Sequence, residues 1–221
     1  MEANYTELLA WARGPGFQIA LAIFTFGIIL RLLEILMLGR KKDYFEARDC
    51  RVGGGLRTIF SRFFVSGQTL HRSWFIIVVG YVFHLGLFVV LFLFTPHIIL
   101  IESSLGLSWP GLPSHLVNTI TIITLLAMLA LLFNRLTHKV TRYLSTLQDY
   151  IVWLLVFLPL LTGYMAYNHM GFSYQLILAL HILSVELLMV VFPFTKLMHT
   201  FTTFTSRWYT GANAAQRGVK I

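Results

Sequence analysis

Charge is what this sequence has least of. Lys, Arg, Asp and Glu together make up 12% of its 221 residues, where a soluble domain ordinarily carries about 25%. Hydrophobic residues make up 57%, and the mean hydropathy is +0.75. No water-soluble core absorbs that much apolar surface, so an ordinary soluble domain is excluded. Cysteine is almost missing. Cys50 stands alone, which excludes an internal disulfide and any iron–sulfur cluster held by thiolates of this chain. Internal repeats and low-complexity runs are absent, and residues 1–16 lack the cleavage-site pattern of a removable signal peptide.

What is present is a series of apolar segments. A helix crossing a bilayer needs roughly 20 mainly apolar residues, and five stretches meet that length: about 17–38, 74–95, 116–133, 150–167 and 172–201. The expectation is an all-α fold, one membrane domain over residues 1–221 with five transmembrane helices in a bundle. Pro159 marks a kink in the fourth segment, and Pro193 lies inside the fifth. The fifth is long for a single crossing. Residues Leu56 to Val65 interleave Arg57 and Arg62 with Ile59, Phe60, Phe63 and Phe64, the pattern of a short helix lying at a membrane surface. The stretch after Pro96 is rich in Gly, Pro and Trp and is expected to cap the bundle.

The basic residues give the direction. Arg40, Lys41, Lys42, Arg48, Arg51, Arg57, Arg62 and Arg72 lie between the first two segments, and Arg135, Lys139 and Arg142 between the third and fourth. Arg207, Arg217 and Lys220 follow the fifth, whereas 96–115 and 168–171 contain neither Lys nor Arg. By the positive-inside rule the N-terminus is expected outside and the C-terminus on the cytoplasmic side of the membrane. The net charge of +8 is thereby an orientation signal, and nucleic acid is not an expected partner.

Histidines are the chemistry-bearing residues. An imidazole inside hydrocarbon is costly unless paired, solvated or bound to a metal. His84 and His97 belong to the second segment or its outer end, His181 and His199 to the fifth. On one straight helix His181 and His199 share a face about 27 Å apart, and His84 and His97 are about 20 Å apart. Antiparallel segments put His84 with His199 toward the cytoplasmic half and His97 with His181 toward the outer half. Two facing pairs at two depths suit two bis-imidazole haems. Pro96 is expected to break the helix at Thr95 and re-aim His97. His71, His115, His138 and His169 sit in or beside loops and read as solvated side chains.

The run His181-Ile-Leu-Ser-Val-Glu-Leu-Leu-Met-Val-Val-Phe-Pro-Phe-Thr-Lys-Leu-Met-His199, with Phe83-His84-Leu85-Gly86, resembles the gamma-subunit family of respiratory nitrate reductase. It looks closer still to relatives in heterodisulfide-reductase-like, sulfite-reduction-associated and hydrogenase-linked membrane complexes. The resemblance implies a five-helix cytochrome b with two haems b, the inner held by His84 and His199 and the outer by His97 and His181. In the nitrate-reductase pattern the second-helix histidines are ten apart, a position that is Phe94 here; His97 is the nearest histidine.

The function expected from this reading is electron exchange between a quinone (menaquinone or ubiquinone) and an iron–sulfur or catalytic oxidoreductase subunit docked on the cytoplasmic side. Terminal catalysis would belong to those partners. Membrane lipid is the other partner. Glu186, Glu102 and Lys196 are candidate proton or quinone contacts, against structural roles as a buried hydrogen-bonding acid, a loop acid and a snorkelling base. Arg31 and Glu34 read as an intrahelical ion pair, and Tyr164, Tyr167 and Asn168 as an interfacial belt. A proton-coupled transporter using His84, His181 and Glu186, or a cofactor-free membrane anchor, are the alternatives.

Overall fold

The computed structural model describes residues 2–39 and 46–219. Four cations counted above, Arg40, Lys41, Lys42 and Lys220, lie outside the described residues. Among those residues every regular element is helical, with one isolated bridge between Phe94 and Leu112. The α-helices are α1 (Glu2–Trp11), α2 (Phe17–Met37), α3 (Arg51–Ser61), α4 (Gly67–Leu93), α5 (Thr95–Leu105), α6 (Ser114–Thr137), α7 (Lys139–Leu144), α8 (Leu147–Tyr167), α9 (Tyr174–Val191) and α10 (His199–Gln216).

Five helical stretches among the described residues are long and apolar enough to cross a membrane: Asn4–Met37, Gly67–Leu93, Ser114–Thr137, Leu147–Tyr167 and Tyr174–Phe194. They correspond to the five hydropathy segments, with shifted ends. The first is longer than hydropathy indicated, because a π-helical turn, Ala12–Gly16, joins α1 to α2 despite Pro15. A widened turn accommodates the proline ring that would stop a regular helix. In α4 the helix is distorted at Ser73 (φ −135°, ψ 27°), so its apolar part begins at Trp74, as the hydropathy pattern indicates.

The fifth segment differs most. Hydropathy predicts one helix over 172–201, but α9 ends at Val191 and two 3₁₀ turns follow, Phe192–Phe194 and Lys196–Met198. Thr195 between them is extended (φ −126°, ψ 178°). Pro193 has no N–H and its ring collides with the preceding turn, so the α-helical ladder stops there. His199 opens the separate helix α10. His181 and His199 therefore do not share one helix face, and the 27 Å straight-helix spacing does not apply.

The chain divides into two compact units, one formed by residues up to Ile23 and by Ser73–Val190, the other by Phe24–Arg72 and by Val191 onward. In the first unit α6 and α8 are cross-linked by side chains. The Trp153 indole donates to the Met128 carbonyl at 3.0 Å, and the amides of Asn118 and Asn168 donate to each other at 3.3 and 2.9 Å. Thr146 and Asp149 form a capping box that starts α8, and Arg135 stands 3.7 Å from the Asp149 carboxylate. Gly86 lets α4 approach α6 so closely that any side chain there would overlap Thr124 Oγ1.

In the second unit α3 and α10 run antiparallel. Gly54 faces Gly211 and Ala215, Thr58 faces Gly211, and Gly55 faces Trp208. Small residues four apart on both helices allow this backbone approach. The Arg51 and Arg207 guanidinium groups lie 5.6 and 4.9 Å from the ring centres of Trp208 and Phe63. Where a helix is expected at Leu56 to Val65, α3 begins and ends earlier, and Phe60 on it and Phe64 beyond it are exposed. Arg31 pairs with Glu34 at 2.7 Å, as the sequence indicated, and its Nε also donates to the Pro193 carbonyl at 3.3 Å.

Candidate functional site

Helix α4 ends because Phe94 leaves helical geometry (φ −85°, ψ 122°), and α5 restarts at Thr95 with Pro96 in its first turn. The break lies one residue before the position expected from Pro96, which is tolerated in a first turn because its missing N–H has no partner to lose. A helix end leaves its last carbonyls without backbone donors. Here three are answered from beyond the break. His97 Nδ1 meets the Val90 carbonyl at 2.8 Å, Trp109 Nε1 donates to Phe92 O at 2.6 Å, and Leu112 N donates to Leu93 O at 2.8 Å. His97 is thus folded back over the end of α4, and the Gly/Pro/Trp-rich loop closes over the same end.

His181 comes from α9 and leans on α8. Its Nδ1 is 3.0 Å from the Pro159 carbonyl and 3.3 Å from Thr162 Oγ1. Gly163 supplies the room: a Cβ there would lie 2.9 Å from His181 Cε1 and 3.2 Å from its Nδ1. The rings of His97 and His181 come together, with centres 6.2 Å apart and planes 14° from parallel. Phe94 packs edge-on against His97 at 5.2 Å and against Tyr167 at 5.8 Å.

The hydrogen bonds fix the form of each ring. A carbonyl only accepts, so the Nδ1 of His97 and of His181 carries the proton and the lone pair resides on Nε2. Metal-ligating histidines are commonly held in this way, the second ring N–H bonded to a carbonyl, carboxylate or water. Burial also pushes the His97 imidazole below its ordinary pKa, opposed by the backbone acceptors at Val90 and Leu91, which favours the neutral ring. His84 and His199 follow the same rule, with Nδ1 at 2.7 Å from Gly80 O and 2.8 Å from Lys196 O. In all four histidines singled out from the sequence, Nδ1 donates to a backbone carbonyl. His138 is different: its Nδ1 accepts from the Thr141 backbone N–H at 3.4 Å and caps α7.

A protein of Nitratidesulfovibrio vulgaris (strain Hildenborough) is 32% identical to this chain over 145 residues, and its name states no activity. The match covers 65% of this chain and 64% of that relative. No family model matches the chain, and no solved structure matches it.

The remaining candidates divide. His84 belongs to the first compact unit and His199 to the second, and both are exposed within the chain. Glu186 is buried, 6% exposed, and its Oε1 has no hydrogen-bond partner. Glu102 is exposed at the end of α5, where it accepts from Ser108 Oγ at 3.1 Å, a loop clasp. Lys196 is exposed in the turn before α10. Asn168 pairs with Asn118, which gives one member of the expected aromatic belt a packing role. Pro159 O, Thr162 and Gly163 are the site residues that sequence reasoning missed. A glycine inside an apolar helix was the readable signal, since it marks a close approach, but nothing in the sequence named His181 as the neighbour.

Proposed function

We propose that this chain is a membrane-embedded dihaem cytochrome b subunit of a respiratory oxidoreductase complex. It exchanges electrons between the quinone pool and an iron–sulfur or catalytic subunit on the cytoplasmic side. The observation that carries this reading is the His97–His181 pair, 6.2 Å between near-parallel rings with each Nδ1 committed to a carbonyl. Two imidazoles with Nδ1 engaged by carbonyls are a donor set that would hold a haem b, and the space beside Gly163 takes the edge of the His181 ring. The haem iron supplies a one-electron couple when bound. His97 and His181 would hold one haem; a second, on His84 and His199, is carried by the sequence resemblance.

The chain's other residues have defined parts in this reading. The cation-free outer segments put the His97 end toward the outer face, with the N-terminus outside and the C-terminus cytoplasmic. Menaquinone or ubiquinone binds near that end. Glu186, an unpaired buried carboxyl, carries a proton between quinone and solvent. The basic inner segments steer an acidic partner surface into place. The site is a prokaryotic inner membrane.

A reduced-minus-oxidised absorption spectrum of the purified protein tests the proposal. A b-type band is expected, with Ala at His97 and at His181 each removing the same one of two haems. A colourless wild type overturns it. The unpaired Glu186 then favours a second reading, a proton-coupled transporter, which predicts pH-driven uptake by a protein without visible absorption.

A further inference from the structure

The Thr162 hydroxyl sits at the centre of a small polar cluster in otherwise apolar helices. Its oxygen is 2.7 Å from Leu158 O, 3.3 Å from Pro159 O, 3.3 Å from Ser184 Oγ and 3.3 Å from His181 Nδ1. Ser184 Oγ in turn donates to the His181 carbonyl at 2.7 Å. The two hydroxyl protons are therefore directed along the short contacts, Thr162 to Leu158 O and Ser184 to His181 O. The proton left to fill the contact between Thr162 and the imidazole is the one on Nδ1. That N–H is shared between two acceptors on α8, the Pro159 carbonyl at 3.0 Å and Thr162 Oγ1.

Two acceptors one helical turn apart do what one does not. The Pro159 carbonyl alone permits the ring to swing about the N–H···O axis, whereas a forked bond resists that rotation. Gly163 shapes the same wall, because its missing side chain is the space in which the ring edge lies. Pro159, Thr162 and Gly163 thus form one cradle on α8 for a ligand residue on α9.

We propose that Thr162 is a positioning residue for His181, fixing the rotation of its ring and its strength as a donor; this rests on His181 being an axial haem ligand. An acceptor on Nδ1–H draws the proton outward and makes Nε2 a stronger donor. A stronger donor favours the oxidised iron. Removing the Thr162 oxygen therefore shifts one midpoint potential to a more positive value, loosens the ring out of its near-parallel setting and weakens retention of that haem about tenfold.

The test uses the full-length protein in detergent or nanodiscs, compared as wild type, Thr162→Val and Thr162→Ser. Spectropotentiometry reads the midpoint potentials, and the low-spin ferric EPR signal reads the angle between the axial imidazole planes. The expected result is a positive shift of one potential and a changed EPR signal in T162V, with both restored in T162S, which keeps the oxygen. Wild-type potentials and signal in T162V overturn the positioning role while leaving the cytochrome reading intact. A wild type without haem overturns both. If T162V does not accumulate, Thr162→Ala against T162S makes the same comparison, and identical potentials there overturn the proposal.

Discussion

Replacing Gly163 by alanine tests the His181 cradle directly. A Cβ at that position meets His181 Cε1 at 2.9 Å and Nδ1 at 3.2 Å, and the first is closer than side-chain carbons normally approach. The ring does not yield freely, because its Nδ1 is tied to Pro159 O and Thr162 Oγ1. Overpacking of this kind costs about 1–3 kcal/mol. Against it stands the gain from replacing a helix-interior glycine with alanine, about 1 kcal/mol. The net is a destabilisation of up to about 2 kcal/mol. Gly80 on α4 is the internal control, since a Cβ there meets nothing within 4 Å. G80A keeps only the propensity gain and should be neutral or up to about 1 kcal/mol more stable. Unfolding followed by circular dichroism during an SDS titration measures both. The two variants should move in opposite directions, and under the proposed function G163A alone should also lose the haem assigned to His181. Equal stability of G163A and G80A would refute the claim that the His181 ring fills the space beside Gly163.

Other substitutions probe the remaining contacts. His181→Ala should leave one haem per chain by pyridine haemochrome assay, and a double variant with His97→Ala should lose no more than either single one. Gly211→Val puts branched carbons where Thr58 and Gly54 already sit, so limited proteolysis should cut between α3 and α10 faster than in wild type, with the haem spectrum preserved. Glu186→Leu removes a buried carboxyl oxygen with no partner and should raise stability by about 1–3 kcal/mol while slowing quinol oxidation; unchanged turnover would remove Glu186 from the proton path. Arg31→Leu deletes both the Glu34 pair and the donor to Pro193 O; because the side chain is partly exposed, a loss of only about 1 kcal/mol is expected, read by the same SDS titration.

The five apolar stretches were legible because hydropathy acts residue by residue over lengths that a single helix satisfies. The Arg31–Glu34 pair was legible for the same reason, since its spacing lies within one turn. Proline was half legible. Pro96 announced a break near His97, and the structure has one at Phe94. Hydropathy predicts one helix running through Pro193, whereas the structure stops α9 and extends Thr195. A kink and a stop differ in whether the following residues recover helical geometry, and the 3₁₀ turns after Val191 are set by local packing that periodicity does not encode. The meeting of His97 and His181 was anticipated from depth, through a face argument on His199 that the broken helix removes. The carbonyl partners of the imidazoles were not legible at all. Each depends on which backbone oxygen a distant ring reaches: Val90 O at the end of α4, where the helix leaves its last carbonyls without donors, and Pro159 O on α8.

An imidazole with its Nδ1–H pledged to a carbonyl has a single basic atom left. Once that atom is occupied, the ring neither accepts nor releases a proton, and it cannot flip to exchange its two nitrogens without abandoning the carbonyl. His97 and His181 are in that condition by construction. In the proposed function, the protons of a quinol oxidised beside them would depart by a different road, through hydroxyls, water or the acid at Glu186. Under that proposal, two main-chain oxygens would be what keeps charge of the two kinds on separate tracks.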